Sequence, residues 1–509
     1  MHQDIALNNK LIAKNTIYMY IRMGVVMLVQ LYTSRIVLNS LGFEDYGIYN
    51  VVGSFIVAFT FISSPLGAAT QRYLNFELGK KEKSQTNVIF NLSFYSYLFL
   101  SISLFIIIEL VGEWYIHNKM QMPHNRMAAA EWVFHLSLLS LILGLIKTPF
   151  ESSIIAFEKM SFYAYLGIFE VILKLLNAFS LEFIMVDKLK LYAVNQFIIS
   201  FLVLIGVYIF CYYNFKTIRL QNLRKNWNPQ KFRELLSFSG WNLFGAIANM
   251  TADQGLNILL NYFYGVVLNS AMGIANQINV SVNQFVSNFQ TAFRPQLVKC
   301  YASEEICRLN RLVINTSKYS FFLLFAIACP ICVNMHFLLE LWLKHVPDYT
   351  VIFCILIIIF SLISTLSAPL WMTVHATGKI KKYQIVISCV ILMNVLLSYI
   401  FLNYGYPPQT ILIIKCLLCV CTVMIRLYFV CSLIDFSLSD YLKETICPVL
   451  IVSTISFLTV YLFVYNIHQG WLRIGITIMI FSIIYSLLVL FVGLTKKERY
   501  LIKKMICVK

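Results

Sequence analysis

The sequence predicts an all-α integral membrane protein of about 14 transmembrane helices, arranged as two pseudo-symmetric six-helix lobes around a central cavity with two further helices at the carboxyl end. Three observations predict it. Apolar runs of about 20 residues or more recur from end to end, each long enough to cross about 30 Å of hydrocarbon as a helix. The 509 residues are 59% hydrophobic and only 12% charged, with a mean hydropathy of +0.75, whereas a soluble domain carries about twice that charged share. Lys and Arg concentrate in alternate inter-helix loops, as the positive-inside rule requires. Because the runs are continuously apolar and lack strand alternation, a membrane β-barrel is excluded.

Spans are expected at roughly 12–38, 46–78, 86–111, 130–156, 161–185, 191–213, 234–262, 266–294, 311–337, 350–374, 382–403, 409–433, 445–466 and 471–493. The first ten residues are polar, and the first apolar run is too long for a signal-peptide core, so the first helix is expected to be retained. With the amino terminus inside, the outer loops hold about six basic residues, Lys119, Arg126, Lys188, Lys190, Lys344 and Arg473. The inner loops hold about four times as many. They include Lys80, Lys81 and Lys83; Lys216, Arg219, Arg224, Lys225, Lys231 and Arg233; Lys379, Lys381 and Lys382; and Lys496, Lys497, Arg499, Lys503, Lys504 and Lys509. Both termini are therefore expected in the cytoplasm, and the acidic outer turn at Glu44 and Asp45 agrees. The net charge of +17 follows from these loops and calls for no nucleic acid.

The organisation expected is an amino-terminal lobe over 1–213, a basic cytoplasmic linker over 214–233, and a second lobe over 234–433. Two more helices follow over 434–495, then a basic tail over 496–509. Internal similarity supports it: I-V-L-N at 36–39 recurs as I-L-L-N at 258–261, and Arg72 recurs as Arg294. Two facing repeats are a transporter architecture. Extramembrane segments are short, and no H-E-x-x-H, G-x-S-x-G, P-loop or D-x-D appears, so an enzyme is not expected. Cys329 with Cys332 and Cys416 with Cys419 have C-x-x-C spacing inside apolar helices without a second ligand pair, which reads as packing; no metal and no cofactor are expected.

Ionisable groups in hydrocarbon cost at least a few kcal/mol and mark function or pairing. Seven cations stand out inside the spans: Arg22, Arg35, Arg72, Lys174, Lys318, Lys415 and Arg426. Arg72 and Arg426 near one end of their helices, and Arg35 and Lys415 near the other, can snorkel. Lys174 has Glu170 one turn before it, in the favourable order. Arg22 and Lys318 have no acid within a turn and must pair across helices or meet water. Asp253, amid Asn249, Thr251, Gln254 and Asn257, is the clearest deep acid. It is a candidate to couple Na+ or H+, or else a polar knot in helix packing. The cationic balance suits an anionic cargo bearing phosphate or pyrophosphate.

Two stretches resemble a known family. One is R-I-V-L-N-S-L-G-F-E-D-Y-G-I-Y-N-V-V at 35–52 with R-Y-L-N-F-E-L-G-K at 72–80. The other runs from Trp241 through L-L-N-Y-F-Y-G, G-I-A-N-Q-I and F-R-P-Q-L-V-K-C-Y-A to residue 302. They resemble the bacterial O-antigen and capsule polysaccharide flippases of the multidrug/oligosaccharidyl-lipid/polysaccharide exporter superfamily. The resemblance implies a protein of the bacterial inner membrane that moves an undecaprenyl-pyrophosphate-linked oligosaccharide from the inner to the outer leaflet by alternating access. Its partners would be the lipid-linked cargo, membrane lipids and other polysaccharide-assembly proteins. The alternative is a multidrug or metabolite exporter of the same superfamily. Related flippases carry essential arginines on the first two helices, which Arg22, Arg35 and Arg72 resemble by position. With Lys174 and Lys318 these make up the expected cargo-binding cations, and Asp253, Asn249 and Asn257 the expected ion-coupling group. Arg22 and Arg35 lie thirteen residues apart, about 220° around an ideal helix, so a straight helix cannot aim both at one point.

Overall fold

A computed structural model describes residues 2–57, 59–80, 85–118, 126–183, 186–221, 227–343, 346–464, 467–495 and 498–499. Side chains before residue 14 lie outside the described set. So do the basic residues Lys81, Lys83, Lys119, Arg224, Lys225, Lys344, Lys496, Lys497, Lys503, Lys504 and Lys509, on which part of the charge pattern rests.

The chain is all-α, with no strand among the described residues. Its helices are α1 (His2–Val57), α2 (Ser63–Gly79), α3 (Thr86–Asn118), α4 (Met127–Ala156), α5 (Met160–Phe183), α6 (Lys188–Asn214), α7 (Pro229–Tyr264) and α8 (Val266–Ala302). Then come α9 (Ile306–Val333), α10 (Met335–Leu343), α11 (Thr350–Thr377), α12 (Lys381–Asn403), α13 (Thr410–Leu433), α14 (Leu438–Val464) and α15 (Trp471–Gly493). Among the described residues, 11 helices are long and apolar enough to cross a membrane. The remaining three expected spans, the second, seventh and eighth, fall on α1–α2, α7 and α8, which are not among those 11; α2 is only 17 residues long. Large side chains such as Phe183 (82% exposed) and Phe99 (74%) stand on the outside, where lipid rather than water suits them.

Two compact units divide at Ala246/Ile247, inside α7 rather than in the linker. The first turns of α7 are tied into the first unit: Lys231 pairs with Glu77 at 2.9 Å and Phe238 meets Tyr73 edge-on. In that unit α4 is the hub, packed on α6, α3, α2 and α1, while α1 also lies along α5. The chain after α6 is pinned rather than free. Asn91 and Asn87 on α3 hold the backbone of Arg219 and Gln221 through three bonds of 2.8–2.9 Å, and Phe215 and Ile218 are buried in the core. Arg126, before α4, clasps Asp45 near the α1 bend and Asp187, the residue that caps α6. In the second unit α11 is the hub, packed on α8, α13 and α9. The last two helices dock on α9 through Val449, Val452, Val460, Phe481 and Tyr485 against Phe321, Phe322 and Phe325.

The repeat has a backbone signature that the sequence match only hints at. The bend within α1 is at Gly42 (φ 77°, ψ 170°), and the break between α7 and α8 is at Gly265 (φ 78°, ψ −167°). The offset is 265 − 42 = 223, one more than the shift relating the flanking I-V-L-N and I-L-L-N strings. This conformation is essentially reserved for glycine, and forcing another residue into it costs on the order of 1–3 kcal/mol. A Cβ at either position would meet no atom within 4 Å, so the requirement is purely conformational. Gly265→Ala is therefore expected to lower the melting temperature in detergent. Gly273→Ala, in open helical surroundings on α8, is expected to leave it unchanged or raise it slightly.

Candidate functional site

Burying charge in a membrane helix demands partners, and one group in the first unit brings charges from α1, α4 and α5 together. Arg22 on α1 lies over the Tyr163 ring of α5, with the guanidinium carbon 4.6 Å from the ring centre. Its Nε crosses directly over Gly167, where a Cβ would overlap it; glycine is required for this close approach. Lys174 on α5 bonds Glu170 at 2.6 Å, and Lys147 on α4 pairs with Glu151 at 3.1 Å. Glu170 feels Lys174, Lys147 and Arg22 together, and Tyr163 feels Glu151, Arg22, Lys147 and Glu170. Three cations thus face two carboxylates. Arg22 is half-buried, its Nε has no hydrogen-bond partner, and no carboxylate pairs with it within 4 Å among the described residues. Lys174 makes the pair with Glu170 that the i, i+4 spacing anticipates. Sequence reasoning misses Lys147, although its position inside the fourth span, one turn before Glu151, is the signal that finds it.

Arg35 is exposed and is not brought to this cluster. The separation from Arg22 follows from the thirteen-residue spacing on a helix with no bend before Gly42. Arg72 is buried, its guanidinium 4.4 Å from the Tyr73 ring and 5.4 Å from Phe238. Its repeat counterpart Arg294 lies 5.5 Å from the Trp371 ring. Stacking on aromatic faces is common to both arginines, as suits a planar cation in a dry setting.

Lys318 departs from the expected cargo-binding set. It is fully buried and bonds both oxygens of Glu498 at 3.0 and 3.1 Å, while Tyr319 donates to the same carboxylate at 2.6 Å. The partner arrives from beyond the last helix, 180 residues away, where no spacing along α9 reveals it. A lysine saturated in this way ties the segment after α15 to α9 and offers no free charge to a ligand.

The second unit holds a cavity of about 240 Å³ lined by Asn249, Asp253, Asn279, Asn394, Lys415 and Arg426, among others. That is room for about eight waters. Asp253 is not the unpaired acid expected: Lys415 on α13 bonds it at 2.8 Å. Lys415 also lines the cavity. Arg426 donates to Ser367. Asn249 lines the cavity one turn before Asp253, whereas Asn257, half-buried one turn after, is not part of the lining. Asn279 accepts from Ser361 and Asn283 at 2.6 Å, so its side chain is fixed.

The sequence matches no family model and no curated protein. The fold does match solved structures. A MOP superfamily transporter from Pyrococcus furiosus, described as having a binding pocket of reverse polarity, superposes with a TM-score of 0.69 at 14% identity, covering 86% of this chain and 97% of that one. A MATE protein in its bent conformation gives 0.68 at 13% identity, covering 84% and 96%. An outward-facing multidrug-resistance MATE transporter of the MOP superfamily gives 0.66 at 13%, again covering 84% and 96%. The chain has the fold of the MOP superfamily transporters and is a multi-pass membrane protein.

Proposed function

We propose that this protein is a flippase of the bacterial inner membrane. It carries an undecaprenyl-pyrophosphate-linked oligosaccharide from the inner to the outer leaflet by alternating access, in the service of surface polysaccharide assembly. The observation that carries the reading is the sign of the embedded charge. Arg22, Lys147 and Lys174 stand against Glu151 and Glu170 in the first unit, and Lys415 and Arg426 against Asp253 in the second. Each group keeps one cation in excess, and Arg22 has guanidinium hydrogen-bonding capacity in reserve. A pyrophosphate is the anion that arginine grips best, through paired N–H donors. The apolar exterior leaves the lipid tail in the bilayer while the charged head moves.

Asp253 is the group to couple the cycle to Na+ or H+. Either ion competes with the Lys415 ammonium for the carboxylate, and its capture frees Lys415 for an anion; Asn249 stands on the same cavity wall. A second reading is export of a drug or metabolite, favoured by the MATE folds above and by a carboxylate on a cavity wall. Deletion of the gene separates the two. Loss of surface polysaccharide with unchanged resistance to cationic dyes is the result expected, and retained polysaccharide with new dye sensitivity would sink the flippase reading.

A further inference from the structure

The last turns of α3 and the first turns of α4 bring together five side chains of metal-ligand type that the transport reading does not use. α3 presents Glu109, Glu113 and His117 at intervals of four residues, hence on one face, and α4 presents Glu131 and His135 with the same spacing. The faces meet because Gly112 has no side chain: a Cβ there would overlap the Phe134 ring, so the helices touch at this point. His135 Nδ1 lies 3.0 Å from Glu109 Oε1, and His117 Nε2 lies 3.5 Å from Glu131 Oε1. One ligand atom each from Glu109, Glu113 and His135 falls within 4.8 Å of the other two. Beside them a cavity of about 140 Å³ is lined by Glu113, His117, Glu131 and His135. The second oxygen of Glu109 is buried and has no hydrogen-bond partner among the described residues.

Two carboxylates at such range, Glu109 and Glu113, repel one another, and among the described residues no Lys or Arg pairs with either of them or with Glu131. A divalent cation would neutralise them and satisfy the idle Glu109 oxygen. Two imidazoles in the donor set favour a first-row transition ion over Ca2+ or Mg2+, which prefer oxygen alone.

We infer that this is a binding site for a divalent transition-metal ion of the Zn2+ type, held by Glu109, Glu113 and His135, with His117 or Glu131 completing the shell. A tetrahedral ion with bonds of about 2.0–2.1 Å holds its ligand atoms about 3.3 Å apart, so the three close by side-chain rotation, for which exposed Glu113 has freedom. Metal binding bolts α3 to α4.

The full-length protein in detergent, titrated with Co2+ as spectroscopic probe, tests this. One Co2+ per chain is expected, with the d–d bands of a nitrogen and oxygen site and no thiolate charge-transfer band; this separates the site from the thirteen cysteines. His135→Ala and Glu113→Gln should each weaken binding by at least about tenfold. Zn2+ should raise the melting temperature of the wild type but not of His135→Ala. Glu113 is exposed, so its variant keeps the fold even where His135→Ala disturbs it. No bound Co2+, a thiolate band, or wild-type affinity in Glu113→Gln would each overturn the inference.

Discussion

Arg22→Ala is expected to abolish transport while leaving inserted, monodisperse protein, and Arg22→Lys to keep part of the activity. Arg22 lies eight residues past Lys14, where the first candidate span begins, or about 12 Å along the helix. Snorkelling from that depth is strained. Tyr163 and the bare surface of Gly167 hold the guanidinium without consuming its hydrogen bonds, so its donors remain available to a phosphate. Removing one partner of a desolvated, hydrogen-bonded charge pair costs about 2–5 kcal/mol, on the order of 30- to 5,000-fold in rate. Lysine restores charge but not the paired geometry. Lys147 and Lys174 still balance Glu170 and Glu151 in the alanine variant, so folding is expected to survive. Gly167→Ala, which keeps the charge but displaces it, should give an intermediate loss. Normal transport by Arg22→Ala at native expression would remove Arg22 from the cargo site.

The second large effect concerns stability. Glu498→Ala leaves the Lys318 ammonium buried without its partner, and breaking a buried pair in this way costs about 3–5 kcal/mol. The melting temperature should fall sharply, whereas Lys318→Met combined with Glu498→Leu, which removes both charges, should recover most of the loss. Acid tests the same contact. Burial pushes the Glu498 carboxyl up, but hydrogen bonds from Tyr319, the Thr495 backbone N–H and Lys318, with the charge of Lys318, outweigh it and hold the group below the usual carboxylate range. The stabilisation is therefore complete above the ordinary carboxylate value and is lost as pH falls through the lowered folded value. Thermal unfolding in detergent at stepped pH reads this out; a wild-type curve no more acid-sensitive than that of the double variant would refute it.

Long-period hydropathy discloses the class and most of the spans, because one element crosses the bilayer by itself. Pairs within one helix are legible for the same reason: Glu170 and Lys174 are four residues apart and meet. Pairs across helices are not. Lys415 finds Asp253 from 162 residues away, and Lys318 finds Glu498 from 180. Neither partner can be read from spacing along one helix, and Lys318 is tied to a carboxylate that no local pattern announces. The glycine bends show a middle case. Gly42 and Gly265 are plain in the sequence, yet only their common backbone angles identify them as equivalent positions of a repeat.

Transport itself is the central claim, and reconstitution tests it most directly. Purified protein in liposomes, given a fluorescent undecaprenyl-pyrophosphate oligosaccharide on one leaflet, should move it to the other at a rate that Arg22→Ala cuts to the level of empty vesicles. Product analysis of the same vesicles should show the oligosaccharide unchanged. Movement no faster than in empty vesicles, or new glycosidic bonds in the product, would contradict the account.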